Sequence, residues 1–184
     1  GDRFLRAGPA YGGSCFPKDT RAIVDTANNF KTNLSIVKSV IKSNDQRKLL
    51  LTKRVEKLLK GKIKNKNITF LGVTFKPNTD DMREASSLYM IPQLHKKGAK
   101  IKYFDPSGLK KDFSSLKNVK FCKDISSACL KSDLIIIHTE WNEFKLLNFK
   151  KIVKKNNFII YDLRNIYSPT KMYKNKIKYF SIGR

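Results

Sequence analysis

Acidic residues are scarce. Fifteen Asp and Glu stand against 39 Lys and Arg, a formal net charge of +24 over 184 residues. A surplus of that size can mark attraction to nucleic acid or to an anionic membrane. Here the lysines are scattered along every segment and interleaved with asparagine, and no recognisable nucleic-acid motif accompanies them. They read as a compositional bias with a mild benefit for anionic substrates; the alternative is a basic nucleic-acid-binding α/β domain. No run of eighteen apolar residues exists, so no membrane-spanning helix is expected. No signal-peptide pattern follows Gly1. Cys15, Cys122 and Cys129 are an odd set without metal-like spacing, and no histidine lies near the last two. That argues against a zinc site or a disulfide framework and for a reduced, cytoplasmic protein. The two histidines, His95 and His138, have no evident partners in the sequence and read as structural. There is no internal repeat and no low-complexity linker. No Gly-x-Gly-x-x-Gly follows a strand, so a dinucleotide fingerprint is missing. The chain does not begin with Met, and a motif follows Gly1 almost at once, so a fragment or processed chain is expected.

What is present suffices for a folded core. Forty per cent of residues are hydrophobic, too many for a disordered chain. The length suits one large domain, or a domain plus an extra element. Ala22, Ile23, Thr26, Ala27 and Phe30 share a face at helical spacing, predicting a short helix over Thr20–Phe30. Asn33 or Ser35 then offers an N-cap for a helix from about Leu34 to Lys60, stopped by Gly61. Val37, Val40, Ile41, Leu51, Val55, Leu58 and Leu59 form its apolar stripe. At 1.5 Å per residue it would reach about 40 Å, which suggests a bridge between domains or a packing surface for a second copy. A plain surface helix is the other reading.

From Asn67 the pattern becomes strand-helix alternation. Strands are predicted at Asn67–Val73, Lys100–Asp105, Val119–Cys122, Asp133–Thr139, Phe158–Leu163 and Lys178–Ile182, with helices at Arg83–Lys97 and Ile125–Leu130. The run Leu134-Ile135-Ile136-Ile137 is apolar on both faces, as a strand covered on both sides must be. The fold class is therefore α/β, a Rossmann-like parallel sheet preceded by a long connecting helix. Ligands in such sheets lie at the carboxyl ends of the strands.

The stretch most charged with chemistry is Tyr11-Gly12-Gly13-Ser14-Cys15-Phe16-Pro17-Lys18-Asp19-Thr20. Paired glycines let the backbone turn sharply and approach a ligand. Cys15 is a potential nucleophile, since a thiolate attacks carbonyl carbon far better than a hydroxyl does. Lys18 can lower the pKa of Cys15 by favouring its charged form, and Asp19 can orient a water. Asp19 and Thr20 open a helical segment whose N-terminus favours an anion. From the residues alone, the stretch also reads as an ordinary turn with a small buried cysteine.

A second loop, Phe75-Lys76-Pro77-Asn78-Thr79-Asp80-Asp81-Met82-Arg83-Glu84, follows the first strand of the sheet. Lys76 can reach an anionic phosphate as a mobile point charge, or simply be solvated. Asp80 or Asp81 can cap the next helix, and Arg83 offers a planar fork of donors. Three further strand ends carry polar groups. Tyr103-Phe104-Asp105-Pro106 reads as a structural turn. Thr139-Glu140-Trp141 follows the buried strand, and Asp162-Leu163-Arg164-Asn165 follows the next one.

Phe4-Leu5-Arg6-Ala7-Gly8-Pro9-Ala10-Tyr11-Gly12-Gly13-Ser14-Cys15-Phe16-Pro17-Lys18-Asp19 closely resembles the catalytic-cysteine motif of the UDP-glucose 6-dehydrogenases, within the nucleotide-sugar dehydrogenases. The second loop resembles the same family's Phe-Lys-x-x-Thr-x-Asp-x-Arg-Glu at every defined position, and the later segments resemble its Thr-Glu-Trp and Asp-Gly-Arg-Asn motifs. Ala10 and Leu163 depart from glycines common in the family.

The resemblance implies an organisation and a reaction. Residues 1–33 correspond to the end of a central region with the cysteine loop, 34–62 to a long central helix forming a dimer core, and 67–184 to a UDP-sugar-binding domain. The family's N-terminal NAD-binding domain is expected to be missing from these 184 residues. The implied activity is NAD-dependent two-step oxidation of UDP-glucose to UDP-glucuronate, on a route to capsule or cell-wall polysaccharide, with Cys15 and Asp19 catalytic. Phe4, Leu5, Arg6, Tyr11, Gly12, Phe16, Lys76 and Arg164 would bind the substrate, and Lys18 and Arg83 would face NAD. The implied partners are UDP-glucose, NAD and a second copy through the long helix, with no nucleic acid, membrane or metal. This chain alone is expected to be inactive. GDP-mannose or another nucleotide sugar is the alternative substrate, and a nucleotide-sugar-binding module without chemistry the alternative function.

Overall fold

The computed structural model describes residues 5–183. Six strands form one all-parallel sheet: β1 (Asn67–Leu71), β2 (Lys100–Phe104), β3 (Val119–Phe121), β4 (Leu134–Ile137), β5 (Ile159–Asp162) and β6 (Lys178–Ser181). Their order across the sheet is β3-β2-β1-β4-β5-β6. The chain builds outward from β1, returns to lay β4 beside it, and then builds the other way. The strand order therefore reverses between β1 and β4, and it is at the carboxyl ends of strands at such a point that parallel α/β sheets bind ligands.

Burial explains the strand order. All four residues of β4, and Ile68–Leu71 of β1, are buried, while the edge strands β3 and β6 are only partly covered. Continuous apolar strands need cover on both faces and so take the centre. Alternate residues serve opposite cores. Leu134 and Ile136 join Ile68, Phe70, Ile101 and Tyr103 on one face. Ile135 and Ile137 join Leu71 and Ile160 on the other.

The first face is covered by α2 (Ser35–Leu58), through Leu51 and Val55, and by α3 (Ser87–Lys96), through Met90, Ile91 and Leu94. The second is covered by α4 (Ile125–Cys129), α5 (Phe149–Val153) and α6 (Pro169–Lys174), through Cys129, Phe149, Val153 and Met172. The last two helices carry no sequence prediction. Cys122 and Cys129 are buried, and desolvation pushes the Cys129 thiol up to about 12, so it behaves as an inert apolar side chain.

Several boundaries differ from expectation. The first helix, α1 (Cys15–Asn29), begins at the cysteine rather than at Thr20. Pro17 falls in its first turn, where a missing N–H breaks no intrahelical bond. The expected inner face of α1 is mostly open: Ala27 is buried, but Ile23 is 52% and Phe30 79% exposed. Helix α2 spans 24 residues, about 36 Å. Its N-cap is Leu34, without a side-chain cap, rather than Asn33 or Ser35. Its carboxyl half enters the core, whereas Ile36 and Val40 in its amino half stay exposed. Helix α3 starts at Ser87, not Arg83, because the preceding residues form a separate turn. Among the described residues, no helix is long and apolar enough to cross a membrane.

Candidate functional site

Four segments meet at the carboxyl ends of β1, β4 and β5. The cysteine segment is strapped onto α2 by polar side chains. Asn44 accepts the Tyr11 N–H through Oδ1 at 3.0 Å and donates from Nδ2 to the Tyr11 carbonyl at 3.2 Å. Arg47 donates to the carbonyls of Gly8 at 2.8 Å and Pro9 at 2.6 Å. These bonds satisfy backbone groups that a non-helical segment would otherwise leave unpaired.

The two glycines then bring this segment down onto the 75–84 loop. Gly13 donates its N–H to the Arg83 carbonyl at 2.8 Å. Its φ is +82°, and a Cβ there would fall 2.7 Å from the Phe75 ring. At Gly12 a Cβ would fall 2.6 Å from the Glu84 carbonyl oxygen. Glycine is required for the contact, because any side chain would hold the two loops apart. Cys15 sits just beyond, exposed at the start of α1, with Sγ 3.6 Å from Ser14 Oγ. Phe16 packs edge-on against Tyr11, with centroids 4.7 Å apart.

The charges near Cys15 are mostly paired with each other. Lys18 Nζ lies 2.8 Å from Asp19, both well exposed. The bond to Asp19 raises the Lys18 pKa, with a smaller contribution from Cys15. The nearest partner of Lys18 is thus Asp19 rather than the thiol. Arg83 grips Asp81 with two 2.9 Å bonds, and Asp81 Oδ1 also accepts the Arg83 backbone N–H. Arg83 accordingly holds the Asp81 carboxyl below the usual carboxylate range. Asp81 therefore caps its own turn and not α3, where a cap was expected. Lys76 is exposed, its ammonium 5.2 Å from the Phe75 ring centroid.

Arg164 lies deeper. Its Nε donates to the His138 carbonyl at 2.9 Å and its Nη2 to the Phe75 carbonyl at 2.7 Å. Glu140 Oε2 is 3.0 Å from Nε. Burial lowers the Arg164 pKa, partly offset by Glu140 and Asp162. A Cβ at Gly8 would stand 2.9 Å from Nη1, so the cysteine segment roofs this guanidinium. Leu163, in place of the glycine of the resembled motif, is fully buried in the first core. The left-handed position is taken by Asn165, at φ 55°. Asp105 accepts the backbone N–H groups of Val73 at 2.7 Å and Thr74 at 3.3 Å and so braces the loop after β1, consistent with a structural turn.

Of the remaining predicted site residues, Leu5 and Arg6 are exposed at the start of the described chain, and Phe4 lies outside the described residues. Sequence reasoning assigned nothing to Arg21, Asn44, Arg47, Lys48 or Glu84. Glu84 has φ 55° and joins Arg21 of α1 at 3.0 Å to Lys48 of α2 at 2.8 Å. The only available signal was the i, i+3, i+4 spacing of Asn44, Arg47 and Lys48, which puts three polar groups on one face of α2.

Residues 69–169 match the UDP binding domain of the UDP-glucose/GDP-mannose dehydrogenase family, and residues 1–46 match its central domain. The chain is 39% identical over 185 residues to a UDP-glucose 6-dehydrogenase of Rhizobium meliloti, an alignment covering all of this chain and 42% of that protein. It is 42% identical over 187 residues to a UDP-glucose 6-dehydrogenase of Rickettsia prowazekii, covering all of this chain and 43% of that protein. A UDP-glucose dehydrogenase structure from Pyrobaculum islandicum superposes with a TM-score of 0.78 at 28% identity, covering 90% of this chain and 37% of that one. The chain thus spans about two fifths of the length of the curated relatives it matches.

Proposed function

Because the chain belongs to the UDP-glucose/GDP-mannose dehydrogenase family, we propose that it forms the sugar-binding, cysteine-bearing part of a UDP-glucose 6-dehydrogenase, which converts UDP-glucose to UDP-glucuronate. The observation that carries this reading is the Gly13 N–H to Arg83 carbonyl bond at 2.8 Å. It joins the segment bearing Cys15 to the polar loop that follows β1.

Cys15 is the nucleophile. The C6 alcohol of the sugar loses a hydride and a proton to become an aldehyde, and the Cys15 thiolate adds to the aldehyde carbon. The adduct takes up a proton on oxygen as a thiohemiacetal, which loses a second hydride and that proton to give a thioester, and water cleaves it to the acid and the free thiol. Covalent attachment keeps the aldehyde from escaping. Asp19, exposed beside Cys15, takes the proton of the attacking water. Two NAD molecules, bound in turn, would each accept one hydride. The residues here fit the charge of NAD: Lys18 and Arg83 are exposed cations near Cys15, suited to a pyrophosphate. They provide only a rim for it, since this sequence contains no Gly-x-Gly-x-x-Gly after a strand.

On the sugar side, Tyr11, Gly12 and Phe16 wall the crevice, and Leu5 and Arg6 lead into it. Exposed Lys76 reaches the phosphates as a mobile charge. Arg164 forms the floor, with Nη1 directed toward the cysteine segment. The open apolar residues Ile23 on α1, Phe30 just after it, and Ile36 and Val40 on α2 support a homodimer built on the long helix. The unpaired cysteines support a reducing, cytoplasmic setting.

Calorimetric titration of the full-length protein tests the assignment. Saturable binding of UDP-glucose is expected, with little response to GDP-mannose or duplex DNA. Binding of DNA but not of UDP-glucose would overturn it.

A further inference from the structure

His138 stands at the carboxyl end of β4 and is fully buried. A buried polar ring is costly unless its atoms are paired, and both of its nitrogens are. Nε2 lies 2.8 Å from Ser86 Oγ, and Nδ1 lies 3.1 Å from Thr139 Oγ1. The direction of these bonds follows from the next link. Thr139 Oγ1 is 2.6 Å from the Thr74 carbonyl. A carbonyl only accepts, so the Thr139 hydroxyl donates to it and is left to accept from Nδ1–H. Nε2 then carries no hydrogen and accepts from the Ser86 hydroxyl. The chain of donors runs from Ser86 through His138 and Thr139 to the Thr74 carbonyl. It needs a neutral ring, and burial with Arg164 nearby pushes the imidazole down to about 3.

The same residues hold the predicted substrate groups. Ser86 is the N-cap of α3 but makes no cap bond with its side chain; its hydroxyl is engaged by His138 instead. The His138 carbonyl receives Arg164 Nε, and the Phe75 carbonyl, next to Thr74, receives Arg164 Nη2. Thr74 Oγ1 donates to the Lys76 carbonyl at 3.0 Å. His138 thus lies where the loop after β1, the start of α3 and the end of β4 converge on Arg164.

We propose that His138 is a positioning residue for the nucleotide-sugar crevice: its neutral ring latches the 74–76 loop and Ser86 to the end of β4, and so fixes Arg164 and the loop carrying Lys76. This inference rests on the reading of that crevice as a nucleotide-sugar site. A histidine that merely filled the core would alter stability without altering the affinity of the folded protein for ligand.

The test uses the full-length protein with His138→Leu, His138→Asn and Ser86→Ala, reading UDP-glucose affinity by calorimetry and the imidazole by nitrogen-15 NMR. His138→Leu, which keeps bulk and loses both bonds, is expected to weaken UDP-glucose about tenfold. His138→Asn, which can restore the donor toward Thr139, is expected to recover affinity to within about threefold of wild type. Ser86→Ala is expected to weaken binding about threefold. The NMR spectrum is expected to show the Nδ1–H tautomer of His138, unchanged between about pH 5 and pH 8. Folded His138→Leu with wild-type affinity would overturn the proposal. Should that variant fail to fold, an Nε2–H tautomer, or Ser86→Ala with wild-type affinity, would overturn it equally. A wild-type protein that shows the Nδ1–H tautomer but binds no UDP-glucose would keep the latch and reject the site reading beneath it.

Discussion

The Lys48 ammonium donates to Glu84 Oε2 at 2.8 Å, joining the middle of α2 to the end of the loop that carries Arg83. Arg21 of α1 takes the other carboxylate oxygen at 3.0 Å. One carboxylate therefore binds together the helix bearing Cys15, the long helix and the loop after β1. Glu84 pays for this with a left-handed backbone, φ 55°, which is strained for a residue with a side chain.

Removing that carboxylate leaves Lys48, only 9% exposed, with no ion partner among the described residues closer than Asp45 at 3.8 Å. Glu84→Ala is expected to destabilise the fold by about 1–2 kcal/mol, a range that allows for solvent screening of the partly open glutamate. It should also lower activity, because α1 loses its tether. Chemical denaturation and initial rates measure the two effects. Unchanged stability and rate would show that the junction is held without Glu84.

Acid should act on the same junction. Lys48, then Arg21, hold the Glu84 carboxyl below its usual value near 4.5. The contribution of a depressed carboxylate is fully present above the unfolded-state pKa and disappears as pH falls through the folded-state pKa. The stability difference between wild type and Glu84→Gln should therefore be constant above about pH 5.5 and shrink below about pH 4.5. A difference that grows on acidification would contradict this assignment.

How much of this could be read beforehand depended on the range of the interactions. The central strands were legible because β1 and β4 are apolar on both faces, and only the middle of a parallel sheet demands that. The glycine pair was legible because its backbone freedom is a local property. Two helix starts were misplaced by local competition: Pro17 is tolerated within the first turn of α1, and Asp81 closes a turn on Arg83 instead of capping α3. The junction at Glu84 was not legible at all. Lys48 lies 36 residues away on a helix whose apolar stripe dominates the pattern, and no local spacing announces that its polar face meets a distant loop. His138 was hidden for the same reason, since Ser86 is 52 residues distant.

The glycine pair offers a second test. Gly13→Ala would force a Cβ to 2.7 Å from the Phe75 ring at φ +82°. A loss of about 1–3 kcal/mol is expected from the backbone strain and the clash. Separation of the two loops should reduce turnover more than it reduces NAD binding. Wild-type kinetics in this variant would mean that the two loops do not need to touch for catalysis.

The exposed apolar residues predict assembly. Phe30, just past the end of α1, and Ile36 on α2 are each 79% exposed. In the full-length protein, Phe30→Asp combined with Ile36→Asp should convert a dimer to monomers in sedimentation velocity. A wild-type monomer, or a double variant that remains dimeric, would place the interface elsewhere or remove it.

The most direct measurement is product analysis of the full-length protein with Cys15→Ser, supplied with UDP-glucose and NAD. The account predicts no UDP-glucuronate from this variant while UDP-glucose binding is retained, because serine cannot replace the thiolate that carries the aldehyde to the thioester. Near-normal UDP-glucuronate formation without Cys15 would contradict the covalent mechanism on which the assignment of the site depends.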